Sequence, residues 1–212
     1  MSDDPMRVRE FFGVRAADWD GRFPDDGPAY AAAVAELGLR PGDAVLDAGC
    51  GTGRALPALR AAVGPSRTVV GADLTPEMLE QALGAGRGGE GGGALLLADV
   101  GRLPLRGGAL DAVFAAGLVS HLADAAAGLR ELARVVRPGG RLALFHPVGR
   151  AALAARHGRR PTSDDVRAEP RLRALLTGSG WRPAGYTDED TRFLALAVRE
   201  DRTGGGVRTA PA

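Results

Sequence analysis

The sequence predicts an α/β protein, a mostly parallel sheet with helices on both faces, and three observations predict it. Short apolar runs recur along the chain without polar alternation, as strands buried on both faces require. Between them lie segments with apolar residues at helical spacing, several with Pro just inside the start or Gly just past the end. The first such run feeds a glycine-rich turn and then a helix, the βα unit from which parallel sheets are built.

Pro28 and Gly38 bracket a first helix, and Ala44-Val45-Leu46 begins the first strand after Pro41-Gly42-Asp43. A helix ending at Val63 follows the glycine turn. Thr68 to Ala72 reads as a second strand, with Thr75 as cap and Pro76 as first residue of the next helix. Residues 84–93 are mostly Gly and read as a loop. Leu95-Leu96-Leu97 is expected as a buried third strand and Leu110 to Ala115 as a fourth. Asp124 is placed to cap a helix carrying Leu129, Leu132 and Val136, stopped by Arg137-Pro138-Gly139-Gly140. Leu142 to Phe145 forms a fifth strand. A helix around Leu172 to Leu176 then leads to two late strands near Trp181–Tyr186 and Phe193–Val198.

Composition narrows the function classes. A chain of 212 residues, 45% hydrophobic, suits one domain with a sizeable core. No apolar run approaches the length of a membrane span. The start, MSDDPMRVRE, is acidic and polar, unlike a secretory leader. The lone Cys50 forms no intrachain disulfide, in keeping with a reducing compartment. The expectation is therefore a cytoplasmic protein. A net charge of +1 leaves no footprint for nucleic acid or an anionic membrane. The chain lacks Lys, Ile and Asn, residues encoded by AT-rich codons, so the bias reflects a GC-rich genome and also excludes a Schiff-base lysine.

The segment Val45-Leu46-Asp47-Ala48-Gly49-Cys50-Gly51-Thr52-Gly53-Arg54 carries most of the chemistry. Glycines let a ligand approach the backbone, and the following helix offers free N–H groups. A dinucleotide fingerprint needs a third glycine where Arg54 stands, so a nicotinamide oxidoreductase is disfavoured. The G-x-G-x-G spacing with Asp47 before it resembles motif I of the class I S-adenosylmethionine (SAM) dependent methyltransferases. Gly71-Ala72-Asp73-Leu74 ends the second strand with a carboxylate suited to both ribose hydroxyls. Leu97-Ala98-Asp99-Val100 resembles the family's segment beside the adenine, with a turn cap as the alternative for Asp99. Asp111 to Ala116 resembles motif IV, and Arg137 to Arg141 is a further family mark. Ala17-Asp18-Trp19-Asp20 is similar to a Tyr-Asp segment that closes over SAM in the ubiquinone-biosynthesis-like, methyltransferase type 11 subset. Trp stands there for Tyr, and core filling accounts for Trp19 as well.

The resemblance covers residues 28–147 by motif and the rest by topology. It implies a Rossmann-like sheet of seven strands, the last antiparallel, and SAM as cofactor. Carried over residue by residue, it implies contacts from Trp19, Asp47, Gly49, Cys50, Gly51, Asp73, Leu74, Asp99, Val100 and Ala115. It divides the chain into a lid segment (1–27) and a SAM-binding domain (28–201), and the Gly- and Arg-rich residues 202–212 read as a disordered tail. Methyl transfer from a sulfonium is an in-line displacement, so alignment matters most and a base helps with a hydroxyl or protonated amine. His146, ending the fifth strand before Pro147, and His121, after the fourth, are the base candidates; structural roles remain open for both. Arg150, Arg156, Arg159 and Arg160 occupy the region where the family varies its substrate lid, suited to an acidic substrate or to a solvated surface. The expected function is methylation of a small molecule at O, N or C, without metal, nucleic acid or membrane. The alternative is a SAM-binding partner subunit without transfer activity. Asn- or Asp-Pro-Pro-Tyr does not follow the fourth strand, where Ala115-Ala116-Gly117-Leu118 stands. Neither the acceptor nor the oligomeric state is legible.

Overall fold

The computed structural model describes residues 4–22, 26–65, 68–89 and 93–201. After helix α1 (Pro5–Gly13), two 3-10 turns (Ala16–Asp18 and Asp20–Arg22) precede α2 (Gly27–Leu37). Then come β1 (Val45–Ala48), α3 (Leu56–Val63), β2 (Val69–Asp73), α4 (Pro76–Gly84), β3 (Ala94–Leu97) and β4 (Leu110–Ala116). A 3-10 turn at Val119–His121 leads to α5 (Ala125–Val135), β5 (Val136–His146), α6 (Arg150–Arg156), α7 (Glu169–Gly178), β6 (Trp181–Glu189) and β7 (Arg192–Arg199).

The seven strands form one sheet in the order β3-β2-β1-β4-β5-β7-β6. Pairs among β1 to β5 are parallel, and β7 runs antiparallel to both β5 and β6. Strand order reverses between β1 and β4, so the chain leaves these neighbours toward opposite sides and opens a crevice at their C-terminal ends.

Period-two alternation divides the core. Leu46, Val113, Ala115, Leu142 and Leu144 face one side, with Leu129 and Leu132 of α5 and Leu172 and Leu176 of α7. Val45, Ala112, Phe114, Ala143 and Phe145 face the other, with Val34 and Leu37 of α2 and Leu56 and Leu59 of α3. Trp181 is fully buried, and its indole N–H donates to the Leu129 carbonyl at 2.9 Å, so the large ring leaves no unsatisfied donor.

Gly38 ends α2 in the left-handed conformation, and Asp124 caps α5 by accepting from the Ala127 N–H, both as expected. Four expectations differ. Leu95 to Leu97 lie on the sheet's edge strand, half of it solvated, with Leu97 55% exposed. An apolar run alone does not distinguish edge from centre. Arg137 to Gly140 lie within β5, where the register on β4 jumps from Leu110↔Val136 to Ala112↔Arg141. Gly139, at φ +74°, allows this bulge, and a Cβ on Gly140 would lie 2.6 Å from the Asp111 carbonyl. Thr75 precedes α4 in an extended conformation but makes no side-chain cap. Helices α1 and α6, nine and seven residues long, lie in segments where no helix is read from sequence. The tail, residues 202–212, lies outside the described residues, as do residues 90–92 of the glycine loop.

Candidate active site

The turn after β1 forms from three glycines at φ +67°, +53° and +77° (Gly49, Gly51 and Gly53), a conformation costly for any residue with a Cβ. A side chain on Gly49 would also meet Leu118 Cδ1 at 2.9 Å, and one on Gly53 would meet Leu56 Cδ1 at 2.9 Å. The Gly49 and Cys50 N–H groups donate to the Ala72 carbonyl at 2.8 and 3.0 Å, pinning the turn to β2. Cys50 is buried and its Sγ packs beneath Gly71, where a Cβ would lie 3.0 Å from the sulfur. Burial pushes its thiol well above the usual range.

Asp73, at the end of β2, takes the Gly51 N–H on Oδ2 and the Thr75 N–H on Oδ1, both at 2.8 Å. The Thr75 hydroxyl and the Leu74 N–H also hydrogen-bond to this carboxylate. Burial raises its pKa against the lowering effect of these bonds. Asp47 is 2% exposed; burial first, and the Asp73 carboxylate second, push its pKa up to about 8. Tyr30 of α2 is likewise raised by burial and then by Asp47. Its ring packs edge-on against Phe145, and the Arg54 guanidinium lies 5.8 Å from its centroid and 4.0 Å from Asp26.

One cavity of about 560 Å³ joins these groups. Trp19, Asp47, Gly49, Cys50, Gly51, Asp73, Leu74, Asp99, Val100, His121 and His146 all line it. Ala115 does not; it faces the core on the α5 side, and its neighbour Ala116 lines the cavity instead. The strand alternation at the end of β4 decides this, and a motif match does not set its phase. Asp99 is an exposed wall residue whose Oδ1 accepts the Gly101 N–H at 2.7 Å, so it forms the turn and lines the cavity at once.

The N-terminal segment covers this crevice. The Thr52 hydroxyl donates to Asp20 Oδ1 at 2.6 Å, and Arg87 bridges Asp20 Oδ2 and the Thr52 carbonyl. Phe12 of α1 stacks edge-on against both Trp19 (5.4 Å) and His121 (5.1 Å). The wall toward the end of β5 is formed by His146, Pro147, Val148, Leu122 and Leu153, with Leu118 against Gly49 between the two parts of the cavity. His146 Nδ1 lies 2.8 Å from the Val148 carbonyl and 3.1 Å from the Val148 N–H, so its own turn orients the ring. Burial chiefly, then the charges of Arg167, Arg156 and His121, lower its pKa to about 4. An exposed histidine would titrate near 6.5.

Sequence reasoning did not single out Tyr30 or Arg167, and it used Arg54 only against a dinucleotide. The periodicity of Tyr30 reads as core, and only the tertiary structure turns these side chains to the cavity. Arg150 does not line it; its guanidinium ties α6 to Asp165 and Asp188. Among the described residues, no group of three or more His, Cys, Asp or Glu is placed to hold a metal ion. No helix there is long and apolar enough to cross a membrane.

The cradle fits SAM. The glycine backbone leaves room at Gly51, where an added Cβ would meet nothing closer than the Met78 sulfur at 3.9 Å. The neighbouring carboxylates suit a ligand bearing hydroxyls and positive charge.

Residues 46–144 match the methyltransferase domain family. A demethylmenaquinone methyltransferase from Beutenbergia cavernae is 30% identical over 185 residues, covering 76% of this chain and 74% of that protein. The 27-O-demethylrifamycin SV methyltransferase of Amycolatopsis mediterranei is 36% identical over 110 residues, 51% of this chain and 40% of that one. The crystal structure of a SAM-dependent methyltransferase from Aquifex aeolicus superposes with a TM-score of 0.66 at 27% identity, covering 78% of this chain and 87% of that one. Against several other curated relatives the chain spans less than half of their length, 32% in one case and 42% in another. With the glycine turn, the strand order and the Asp73 carboxylate in place, the chain belongs to the class I SAM-dependent methyltransferase family.

Proposed function

We propose that the chain transfers the methyl group of SAM to a small-molecule acceptor at oxygen, nitrogen or carbon. The observation that carries this reading is one continuous cavity with the glycine turn and Asp73 at one end and His146 at the other. In this reading Asp73 holds the ribose hydroxyls, Gly49 to Gly51 receive the methionine portion, and Leu74, Asp99 and Val100 flank the adenine. Trp19 and the Asp20 contact to Thr52 and Arg87 close the segment over the site and limit water entry. SAM supplies an electrophilic methyl group on a sulfonium, which needs no further activation. The chain's own contribution is alignment. The apolar wall of Leu118, Leu122 and Leu153 positions the acceptor. His146, uncharged throughout the neutral range, takes a hydroxyl or amine proton as the new bond forms; His121 orients Phe12 of the lid from the same wall.

The substrates named for relatives, a demethylmenaquinone and a demethylated rifamycin, are small molecules, which supports the acceptor class without selecting one. Calorimetry with SAM, S-adenosylhomocysteine (SAH) and NAD tests the cofactor, and labelled SAM with metabolite extracts tests transfer. NAD binding in place of SAM would overturn the reading. A second reading, SAM binding without transfer, draws on the tie between His146 and Val148 and its lowered basicity. Tight SAH binding with no labelled product from any extract would favour it.

A further inference from the structure

The charges lining the cavity are unevenly distributed, and Arg54 at the glycine-turn end lies 4.0 Å from Asp26. The cavity's carboxylates, Asp26, Asp47, Asp73 and Asp99, belong to the glycine-turn end and its neighbouring strand ends. The stretch from α6 to the segment before α7 contributes Arg156, His157, Arg159 and Arg167 and no carboxylate. The same end is walled by Pro147, Val148 and Leu153. Asp165 lies behind this wall, where it neutralises Arg167 and Arg150. Among the described residues, no carboxylate pairs with Arg156 or Arg159. Arg160, the next in the run, does not line the cavity. The positive field reaches the end of β5, since Arg167 and Arg156 both act on His146.

From this geometry we infer that the acceptor is an apolar molecule bearing an anionic group, and that Arg156 and Arg159 receive that group at the mouth of the cavity. The inference rests on the methyltransferase reading and deepens it. Leu153 and Val148 take the apolar body, and the anion is left where guanidinium groups offer paired N–H donors. The opposite end takes a cofactor carrying positive charge, so each ligand meets its complement. Arg156 and Arg159 are positioning residues. They anchor the acceptor and do not touch the transferred methyl.

Two dyes with one apolar body test the inference: anilinonaphthalene sulfonate, an anion, and phenylnaphthylamine, its neutral counterpart. Both are titrated into the full chain saturated with SAH, and SAH affinity is measured first by calorimetry. The expected result is at least ~10-fold tighter binding of the anionic dye, from two solvent-facing ion pairs of modest strength. Salt should narrow the gap, and the double variant Arg156→Gln/Arg159→Gln should abolish it while keeping the parent's SAH affinity. Both arginines are exposed, so the variant's fold is not at risk, and its SAH affinity reports on that fold. Equal affinity of the parent for the two dyes overturns the inference. So does a gap that the double variant leaves unchanged. Absence of SAH binding by the parent counts against the methyltransferase reading alone, and the dye comparison on the free chain still decides the charge preference.

Discussion

Replacing Asp73 by Ala should damage two things at once, and the structure sets the size of each. The carboxylate holds the Gly51 and Thr75 N–H groups at 2.8 Å and is also reached by the Thr75 hydroxyl and the Leu74 N–H, so Ala takes the acceptor from all of these donors. An unsatisfied buried donor costs about 1–3 kcal/mol, but water from the cavity can reach this rim. Relief of the buried charge, visible as the raised pKa of Asp73, offsets a further part. A net loss of about 1–2 kcal/mol remains, which for a domain of this size lowers Tm by roughly 2–8 °C. Ligand binding then loses a charged acceptor for the ribose hydroxyls as well as the pinned turn. Each charge-assisted bond is worth about 1.5–3 kcal/mol, so SAH affinity should fall at least ~10-fold. Asp73→Asn should not rescue it, because an amide cannot accept on both sides at once. Thermal melts of the free protein and SAH calorimetry separate the two effects. An unchanged Tm would refute the role of Asp73 in holding the turn, and a lower Tm with unchanged SAH affinity would refute its role toward the ribose.

Three further outcomes are expected. Asp47, with its pKa pushed up to about 8, is protonated in the free chain at pH 7; a cationic ligand favours the carboxylate, so SAM binding should release up to one proton and tighten as pH rises toward 8. Calorimetry in buffers of different ionisation heat reads the proton, and Asp47→Asn should abolish the release; the free chain itself should lose stability between about pH 4 and 8, since there only the unfolded state gives up this proton. Asp20→Ala removes the acceptor shared by Thr52 and Arg87, so residues 4–22 should be cleaved faster in limited proteolysis and SAH should bind ~3–10-fold more weakly; parental protection would sever the link between this contact and lid closure. His146→Ala should lower turnover by ~10²-fold or more with a hydroxyl or amine acceptor, and the parent's rate should stay level down to pH 5 and fall only near pH 4; a fall near pH 6–7 would contradict the burial argument, and parental rate in the variant would remove His146 from the chemistry.

Local sequence determined what depends on backbone chemistry alone. Glycines at 49, 51 and 53 dictate a left-handed turn after an apolar strand, because other residues pay too much for that conformation. The periodicity around Leu129 and Leu132 and the cap at Asp124 dictate α5. Those signals were enough for the α/β class, the family resemblance and eleven of the residues that line the cavity. The tertiary structure decided whatever depends on which neighbour an element finds. Leu95 to Leu97 have the composition of a central strand but pair only with β2, and so form the sheet edge. Ala115 and Ala116 are chemically identical, and only the pleat of β4 sends one to the core and the other to the cavity. The raised pKa of Asp47 and the lowered pKa of His146 come from burial and from charges distant in sequence. Among the arginines after β5, Arg150 became a structural tie while Arg156 and Arg159 came to the mouth of the cavity, because, among the described residues, the fold supplied carboxylates beside the first and none beside the other two.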